Sequence, residues 1–428
     1  MIHFDLRPDI NEFTAGRPST CHLIARLTAE PSSRDIEQPP LDLALVIDRS
    51  GSMRGHRLDA AKAAAAGVVR GLRKVDRLTL VTFGSDVRIH HDAEAMTPEG
   101  RERILTSLEN LQAEGCTNLS GGFQSAGEIL LATDEQSGRR RHMILLSDGH
   151  ANRGIIDRLE LGFMAAELLE RGVTTSCVGI GDGYCTTQLA ALAERGGGEL
   201  HDAEMPEEIV EVVLGELDYL GDVVAEGIEL VVDIPPGMTA RDLSGRDSML
   251  RGNTLRCSLG QLNGGASRTV VIRLDLSPMP AGQTVNLGSY LSWKAPGQVQ
   301  ERARIECCAQ LKAVDYSEMR ASLADAREVL HQWESGLVRQ ATELNRAGNY
   351  EAIQALAREE GREFMQYADQ HPETRGSQER IEHMLWYMLS PRDERNRKDL
   401  YTLASKAAKG VVDHRKGREN KWYEFLKD

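Results

Sequence analysis

Between residues 41 and 220, short runs with the composition of buried strands alternate with stretches in which apolar residues recur every three or four positions, as in a helix. The runs are almost continuously apolar. They lie at 43–47, 78–83, 143–146 and 174–180. Strands that alternate with helices in this way usually pair in parallel, with helices on both faces, and a strand buried on two sides needs apolar residues at nearly every position. We therefore predict a doubly wound, mainly parallel α/β sheet over residues 41–221.

After residue 222, the apolar residues change to a period of two. The alternation runs from Ile228 to Ile234 and returns from Val270 to Leu276, and the turns between these segments contain Gly and Pro. This alternation is typical of strands with one buried and one exposed face. Residues 222–312 are therefore predicted to form an antiparallel β-sandwich.

The first 40 residues show the same alternation from Cys21 to Leu27, and they end at the Pro39-Pro40 step. Because the two ends of a domain usually lie close together, one domain can be inserted into another without disrupting it. We therefore expect residues 1–40 to contribute strands to the sandwich, with the α/β unit inserted in the sandwich or followed by it.

Strand patterns stop after residue 312. Asp315 and Glu318 have the spacing of a helix-capping pair, and apolar residues recur at helical spacing from Leu323 to Leu337. These features predict a helical C-terminal module over residues 313–428, whose first helix begins near Asp315.

The chain as a whole is acidic, with a net charge of −14 over 428 residues. This charge disfavours long-range attraction to nucleic acid or to an anionic membrane surface.

No stretch has the roughly 20 consecutive apolar residues that cross a bilayer, and the first residues do not have the pattern of a secretory signal. Seven cysteines without disulfide-framework or zinc-site spacing are typical of a reducing compartment. We therefore expect a cytoplasmic protein that has no membrane partner.

Polar side chains follow the predicted buried strands at the points where these strands end. Asp48, Ser50 and Ser52 follow the first strand, Thr117 precedes a predicted helix, and Asp148 follows the third strand. Ligands of open α/β sheets bind at the carboxyl ends of the strands, so these oxygens are expected to face one crevice. Two carboxylates and three hydroxyls, without a nearby Cys or His, suit Mg²⁺ or Mn²⁺ better than zinc.

The Asp-x-Ser-x-Ser string at 48–52, a later Gly-x-Thr-Asn and a strand-borne Ser-Asp-Gly together resemble the von Willebrand factor type A domain with its metal-ion-dependent adhesion site. The resemblance covers about residues 41–220. It implies a non-enzymatic adaptor protein of a bacterial, cytoplasmic type, whose protein partner offers an Asp or Glu to a bound Mg²⁺, or to Mn²⁺ or Ca²⁺. It also implies that three hydroxyls bind the metal and that two carboxylates act directly or through water. The three hydroxyls are those of Ser50, Ser52 and Thr117, and the two carboxylates are those of Asp48 and Asp148.

Two other functions fit parts of the sequence. A strand-end Asp is the nucleophile in phosphoryl-transfer enzymes of the haloacid dehalogenase type, but the acid expected two positions later is Ser50 in this chain. Basic residues from Arg392 to Lys421, with aromatic residues near the end, could contact nucleic acid, although the net charge disfavours it. Each polar loop alone could also serve as a helix N-cap, whereas the three loops together favour a metal site.

Overall fold

Strands and helices follow one another along the chain in the order that the sequence patterns predict. The structure is a computed structural model that describes residues 1–31, 38–132, 138–181, 184–203, 205–246, 248–298, 301–409, 412–413 and 418–419. In chain order, the strands are β1 (Ile2–Pro8), β2 (Glu12–Thr14), β3 (Ser19–Ala29), β4 (Leu41–Asp48), β5 (Arg77–Phe83), β6 (Val87–Ala95), β7 (Arg140–Ser147), β8 (Val173–Ile180), β9 (Gly197–Ala203), β10 (Val223–Asp233), β11 (Met238–Asp242), β12 (Ser248–Arg251), β13 (Thr254–Asn263), β14 (Ser267–Leu276), β15 (Thr284–Lys294), β16 (Ala303–Val314), β17 (Val412–Asp413) and β18 (Arg418–Glu419). The helices are α1 (His56–Gly71), α2 (Pro98–Glu109), α3 (Leu119–Ala132), α4 (Arg158–Glu170), α5 (Thr186–Arg195), α6 (Pro206–Gly221), α7 (Leu323–Arg346), α8 (Tyr350–Leu356), α9 (Arg362–Ala368), α10 (Arg375–Met388) and α11 (Glu394–Lys409).

A six-stranded sheet in the order β6-β5-β4-β7-β8-β9 forms the centre of the α/β unit. Neighbouring strands pair in parallel except for β6, which is an antiparallel edge strand. Helices cover both faces, because α1, α2 and α6 share a core with one face and α3, α4 and α5 share a core with the other. The predicted doubly wound, mainly parallel sheet is confirmed.

The central strand β4 explains the continuous apolar signal of the sequence. Every residue of this strand is buried. Leu43 and Leu45 belong to the core that contains α1, whereas Ala44 and Val46 belong to the core on the opposite face. Successive side chains of a strand point to opposite faces, so a strand that is covered on both sides has few positions for polar residues.

Two largely antiparallel sheets pack face to face in a sandwich. One has the order β1-β3-β14-β11, and the other has the order β12-β13-β10-β15-β16-β2, in which the short β2 is parallel to β16. Both sheets contribute to one core, which includes Leu23, Leu230 and Ile272. Strand β3 pairs with β14, with Cys21 opposite Leu274. The chain therefore leaves the sandwich after β3, builds the α/β unit and returns to the sandwich at β10.

The C-terminal helices pack on the outer face of the four-stranded sheet. Their core is built around Trp333 and also includes Ile24 and Val271 from that sheet. Neither α7, with 24 residues, nor any other described helix has a stretch that is long and apolar enough to cross a membrane.

The first of these helices begins later than predicted. Strand β16 continues to Val314, and α7 begins only after Ser322, whose hydroxyl accepts the backbone N–H of Asp325 at 3.1 Å. The pair Asp315 and Glu318 therefore does not form the cap. A capping pair is only two residues at a fixed spacing, so the same spacing can also occur where no helix begins. Here it occurs in the segment that joins β16 to α7.

Buried ion pairs join the C-terminal helices to the α/β unit. Lys398 of α11 is fully buried, and its Nζ lies 3.1 Å from Asp202 Oδ1 and 3.2 Å from the carbonyl oxygen of Gly181. Arg339 of α7 donates to Glu194 of α5 at 2.9 Å. Since Gly181 directly follows β8, the helices reach the carboxyl edge of the parallel sheet.

Candidate metal centre

The predicted site residues lie at the carboxyl edge of the parallel sheet, where β4 and β7 end side by side. Ile47 is opposite Leu146 in the pairing of these strands, so the chain emerges from both strands at one level. Asp48 is the last residue of β4, and Asp148 directly follows β7. Open α/β sheets bind their ligands at this edge.

Asp48 is completely buried, and both of its carboxylate oxygens accept hydrogen bonds. Oδ1 accepts the backbone N–H of Ser50 at 2.7 Å, and Oδ2 accepts the hydroxyl of Ser147 at 2.6 Å. Burial raises the pKa of Asp48 to about 6, although these hydrogen bonds act in the opposite direction, and the nearby charge of Asp148 adds to the increase. A cation at this position would offset the cost of the buried negative charge.

Two serine hydroxyls connect the loop after β4 to Asp148. The Oγ atoms of Ser50 and Ser52 lie 3.0 Å apart, and Ser52 Oγ donates to Asp148 Oδ1 at 2.8 Å. The other carboxylate oxygen of Asp148 accepts a hydrogen bond from Arg57 Nη1 at 2.6 Å. Ser50 and Asp148 are buried, whereas Ser52 is exposed.

Thr117 is held against the loop that follows β7. Its backbone N–H donates to Asn152 Oδ1 at 3.0 Å, and its carbonyl oxygen accepts the backbone N–H of Asn152 at 3.2 Å. A Cβ atom placed on Gly149 would lie 3.5 Å from Thr117 Oγ1 and 3.7 Å from Ser52 Oγ. The hydroxyls of Thr117 and Ser52 therefore flank the same glycine, and the fold brings all the predicted site residues to one edge.

Arg49 organises the site without being one of the predicted ligands. It is buried, and its guanidinium donates to Glu114 at 2.7 Å and also pairs with Asp86. Its backbone N–H donates to the carbonyl oxygen of Phe83 at 2.7 Å, and its carbonyl oxygen accepts the N–H of Glu114 at 2.7 Å. Arg49 thereby ties the loop after β5 and the loop that leads to Thr117 to the end of β4.

Four residues that position the site lie outside the set predicted from the sequence. Ser147 orients Asp48, Arg57 pairs with Asp148, Asn152 holds Thr117, and Arg49 joins the loops. Ser147 was visible within the Ser-Asp-Gly string, but its partner lies on another strand. The other three are isolated polar residues in loops or in the first turn of a helix, where the sequence alone does not identify a partner.

The donor atoms of this edge fit a hard divalent cation. They are carboxylate and hydroxyl oxygens, the ligand types that Mg²⁺ and Mn²⁺ prefer. Asp48 also supplies a buried negative charge with a raised pKa, and no protein cation pairs with it in the described structure. Across the described part of the chain, no group of three or more His, Cys, Asp or Glu side chains could hold a metal ion.

Comparisons with known proteins agree with this arrangement. Residues 42–211 match the sequence profile of the von Willebrand factor type A domain. Protein sll0103 of Synechocystis sp. is 30% identical over 223 residues, which are 52% of this chain and 51% of that protein. YfbK of Escherichia coli is 26% identical over 252 residues, which are 57% of this chain and 43% of that protein. The chain thus spans about half the length of these curated relatives.

Two solved structures share the fold over almost the whole chain. A von Willebrand factor type A protein from Catenulispora acidiphila has a TM-score of 0.71 at 17% identity, covering 94% of this chain and 96% of its own. The ArnB paralog VWA2 from Sulfolobus acidocaldarius has a TM-score of 0.60 at 16% identity, covering 96% of this chain and 99% of its own. Taken with the sequence match and the strand-end site, these similarities identify residues 42–211 as a von Willebrand factor type A domain.

Proposed function

We propose that this chain is a metal-dependent protein-interaction module. A divalent cation, Mg²⁺ with Mn²⁺ or Ca²⁺ as alternatives, would be held at the carboxyl edge of the parallel sheet, and an Asp or Glu of a protein partner would bind to it. The ligand residues in this proposal are Asp48, Ser50, Ser52, Thr117 and Asp148. The observation that carries the proposal is the convergence of Thr117 Oγ1 and Ser52 Oγ beside Gly149, with Ser52 bonded to Asp148.

The donor set explains why a partner carboxylate would bind. A bound cation supplies an electrophilic centre for a carboxylate from outside. Hydroxyls contribute no formal charge, and the oxygens of Asp48 and Asp148 already accept hydrogen bonds from other groups. The protein ligands therefore neutralise the cation incompletely, and a charge-assisted contact with an acidic side chain is favoured. The exposed position of Ser52 leaves the site accessible from solvent.

A phosphoryl-transfer reaction is a poorer fit to the same residues. A nucleophilic carboxylate must reach the substrate, but Asp48 is completely buried and its two oxygens accept hydrogen bonds from Ser50 and Ser147. A general acid two positions after the nucleophile is also lacking, because that position is Ser50. We therefore propose a binding function and not an enzymatic one.

Nucleic-acid binding by the basic C-terminal segment is also less favoured. Lys398 is fully buried beside Asp202, and Lys409 donates to Glu199 at 2.7 Å. These two cations neutralise groups within the protein and do not form part of an open basic surface. Other residues of that basic segment, at 415–416 and 421, lie outside the described residues.

A cytoplasmic location is part of the proposal. All seven cysteines are free, and Cys21, Cys177 and Cys257 are buried. Thiols of this kind persist most readily in a reducing compartment.

Calorimetric titration with Mg²⁺ tests the proposed ligand set. Thr117→Ala removes one hydroxyl ligand and is expected to weaken Mg²⁺ binding at least about tenfold, which corresponds to about 1.4 kcal/mol. Thr106→Ala is the matched control, because Thr106 is an exposed residue of α2. Affinity equal to that of the unmodified chain in Thr117→Ala would refute the ligand set. Loss of affinity in both variants would instead point to a change in overall stability.

A further inference from the structure

A small cavity lies where the α/β unit, the sandwich and the C-terminal helices meet. Charged residues of all three parts line it: Glu194 of α5, Arg246 and Arg268 of the sandwich, Arg339 of α7 and Lys409 of α11. Its volume is about 30 Å³. One water molecule needs roughly 10–15 Å³ of such space, so the cavity has room for about two water molecules or one small ion. We call this space the junction cavity.

Positive charges dominate the lining of the junction cavity. Among the described residues that line it, four are cationic and only one, Glu194, is anionic. Arg268 and Arg339 are 5% and 7% exposed, so solvent screens their charges weakly. Burial of a cation costs free energy unless an anion compensates its charge, and cations that share one cavity also repel each other. The cluster therefore requires negative charge close to it.

Two carboxylates compensate part of this positive charge. Arg339 donates to both carboxylate oxygens of Glu194 at 2.9 Å. Lys409 donates to Glu199 of β9 at 2.7 Å, and Arg268 Nη2 lies 4.0 Å from the other oxygen of that carboxylate. Two of the cations thus share the single charge of Glu199.

The guanidinium of Arg246 donates to neutral acceptors. These are the carbonyl oxygens of Thr269, at 3.0 Å, and of Ala408, together with Gln332 Oε1 at 3.3 Å. The carboxylate of Asp242 accepts the backbone N–H of Arg246 at 3.0 Å and attracts its guanidinium. Asp242 is therefore the third carboxylate that acts on the cluster.

The pKa of Arg246 reports how the surrounding charges act on it. Burial lowers this pKa to about 10. Asp242 opposes the decrease, whereas the positive charges of Arg268 and Arg339 add to it. Arg246 still carries its charge at neutral pH, and it does so beside two other cations.

Four cations and three carboxylates leave one positive charge in excess within this cluster. The carboxylates are those of Glu194, Glu199 and Asp242. The nearby buried carboxylate of Glu216 bonds to Ser176 and His201, and no hydrogen bond or ion pair among the described residues joins it to these cations. The contacts of the cluster therefore do not balance its charge.

Two N–H groups of the cluster also lack an acceptor. The Nε atoms of Arg246 and Arg268 are buried, and neither has a hydrogen-bond partner among the described residues. A buried donor without an acceptor costs free energy, and buried polar groups are normally hydrogen-bonded to protein, to water or to a ligand. Both the charge and the free donors thus call for an electron-rich group in the junction cavity.

We propose that the junction cavity binds a small monovalent anion of the size of chloride. The anion would neutralise the excess charge and would hold cations of the sandwich, α7 and α11 together next to α5. Arg246 and Lys409 are only partly buried, which gives the ion a route from solvent. This site is separate from the metal centre, and its function does not depend on the one proposed above.

A halide fits this cavity better than the other small ligands. Water molecules would accept from the free donors but would leave the excess charge in place. Phosphate and sulfate have four oxygens around a central atom, so they need more room than a halide, and they bring more negative charge than the single excess cation balances.

Line broadening of the chloride NMR signal tests binding in solution. The full chain is titrated with sodium chloride at constant ionic strength, with sodium gluconate as the balancing salt and with EDTA present, so that no divalent cation contributes. Gluconate is too large for a cavity of this size. We expect excess line width that saturates and that bromide displaces. Line width without saturation, or displacement by phosphate more readily than by bromide, would overturn the inference.

A variant of Arg268 tests whether the bound chloride lies in the junction cavity. Arg268→Gln removes one lining cation but keeps an N–H donor, and it is expected to weaken chloride binding at least about tenfold. Arg256→Gln is the matched control, because Arg256 of β13 is 48% exposed and pairs with Glu229. Equal chloride affinity in Arg268→Gln and in the unmodified chain would contradict the proposed site.

A second variant keeps the test decisive if Arg268→Gln does not fold. The side chain of Lys409 is 16% exposed, so Lys409→Gln disturbs less buried packing, and we expect it also to weaken chloride binding about tenfold. Lys312→Gln, which changes an exposed lysine of β16, is its control. Unchanged affinity in Lys409→Gln would likewise count against the site.

Bromide locates the site in the unmodified chain. Crystals grown in sodium gluconate and soaked in sodium bromide are expected to show an anomalous scattering peak inside the junction cavity, next to Arg246 and Arg268. Bromide found only at surface positions would overturn the inference.

Discussion

Arg57 Nη1 lies 2.6 Å from Asp148 Oδ2, so one of the two site carboxylates has a cationic partner within the protein. The side chain of Arg57 is 41% exposed, whereas that of Asp148 is fully buried. A metal ion at this edge would therefore share the negative charge of Asp148 with a guanidinium. The arrangement lowers the cost of the buried carboxylate when metal is absent, and it opposes metal binding through repulsion between two cations.

Replacement of Arg57 tests this opposition. Arg57→Gln keeps a hydrogen-bond donor near Asp148 but removes the positive charge. We expect the Mg²⁺ affinity to rise about three- to tenfold, with the larger effect at low ionic strength. Calorimetric titration at two salt concentrations measures both quantities. A decrease in affinity would mean that Arg57 contributes mainly by orienting Asp148.

The effect of pH on metal-induced stabilisation provides a second test. The pKa of Asp48 is raised from 3.8 to about 6 by burial, so between these values the folded chain binds a proton that the unfolded chain releases. This group therefore destabilises the metal-free fold increasingly as the pH rises from about 4 to about 6. Mg²⁺ needs the ionised carboxylate, so it should raise the melting temperature more at pH 7.5 than at pH 5.

Thermal unfolding with and without Mg²⁺ at these two pH values measures the difference. Asp48→Asn cannot ionise and should lose both the metal-induced increase and its pH dependence. An equal increase at pH 5 and pH 7.5 in the unmodified chain would show that Asp48 is not a metal ligand.

Arg49 and Arg88 offer a matched comparison of buried and exposed charges. Both pair with Asp86 and Glu114, but the side chain of Arg49 is 2% exposed and that of Arg88 is 51% exposed. Arg49→Met is expected to lower the free energy of unfolding by about 2 kcal/mol, because it removes a buried guanidinium whose hydrogen bonds join three loops. Arg88→Met should lower it by about 0.5 kcal/mol or less. Urea denaturation of the two variants measures this contrast, and equal losses would contradict it.

The buried lysine of α11 tests the contact between the C-terminal helices and the α/β unit. Lys398→Met removes the charge that faces Asp202 and the donor to Gly181, and it should destabilise α11 by about 2 kcal/mol. Hydrogen exchange of the α11 amides should become faster, while exchange in β4 stays the same. Lys312→Met, which changes an exposed lysine of β16, serves as the control. Unchanged exchange in α11 would rule out a stabilising role for the buried pair.

Whether a strand could be predicted from the sequence depended on how many of its faces are buried. Strand β4 was predictable because both of its faces are buried. The edge strand β6 contains charged and histidine residues that are exposed or partly exposed, and β9 begins with two glycines and has few apolar residues. Neither has the continuous apolar run of a central strand, so neither was predicted.

The sequence by itself determined the α/β architecture, the sandwich and the types of atoms at the candidate site. Apolar periodicity is local, and a strand-end Asp followed by two hydroxyls can be recognised without knowing its neighbours in space. Tertiary structure alone decided which groups position those atoms: Ser147 with Asp48, Arg57 with Asp148, and Asn152 with Thr117. These partners are separated by 99, 91 and 35 positions along the chain, and only strand pairing and helix packing bring them within hydrogen-bonding distance.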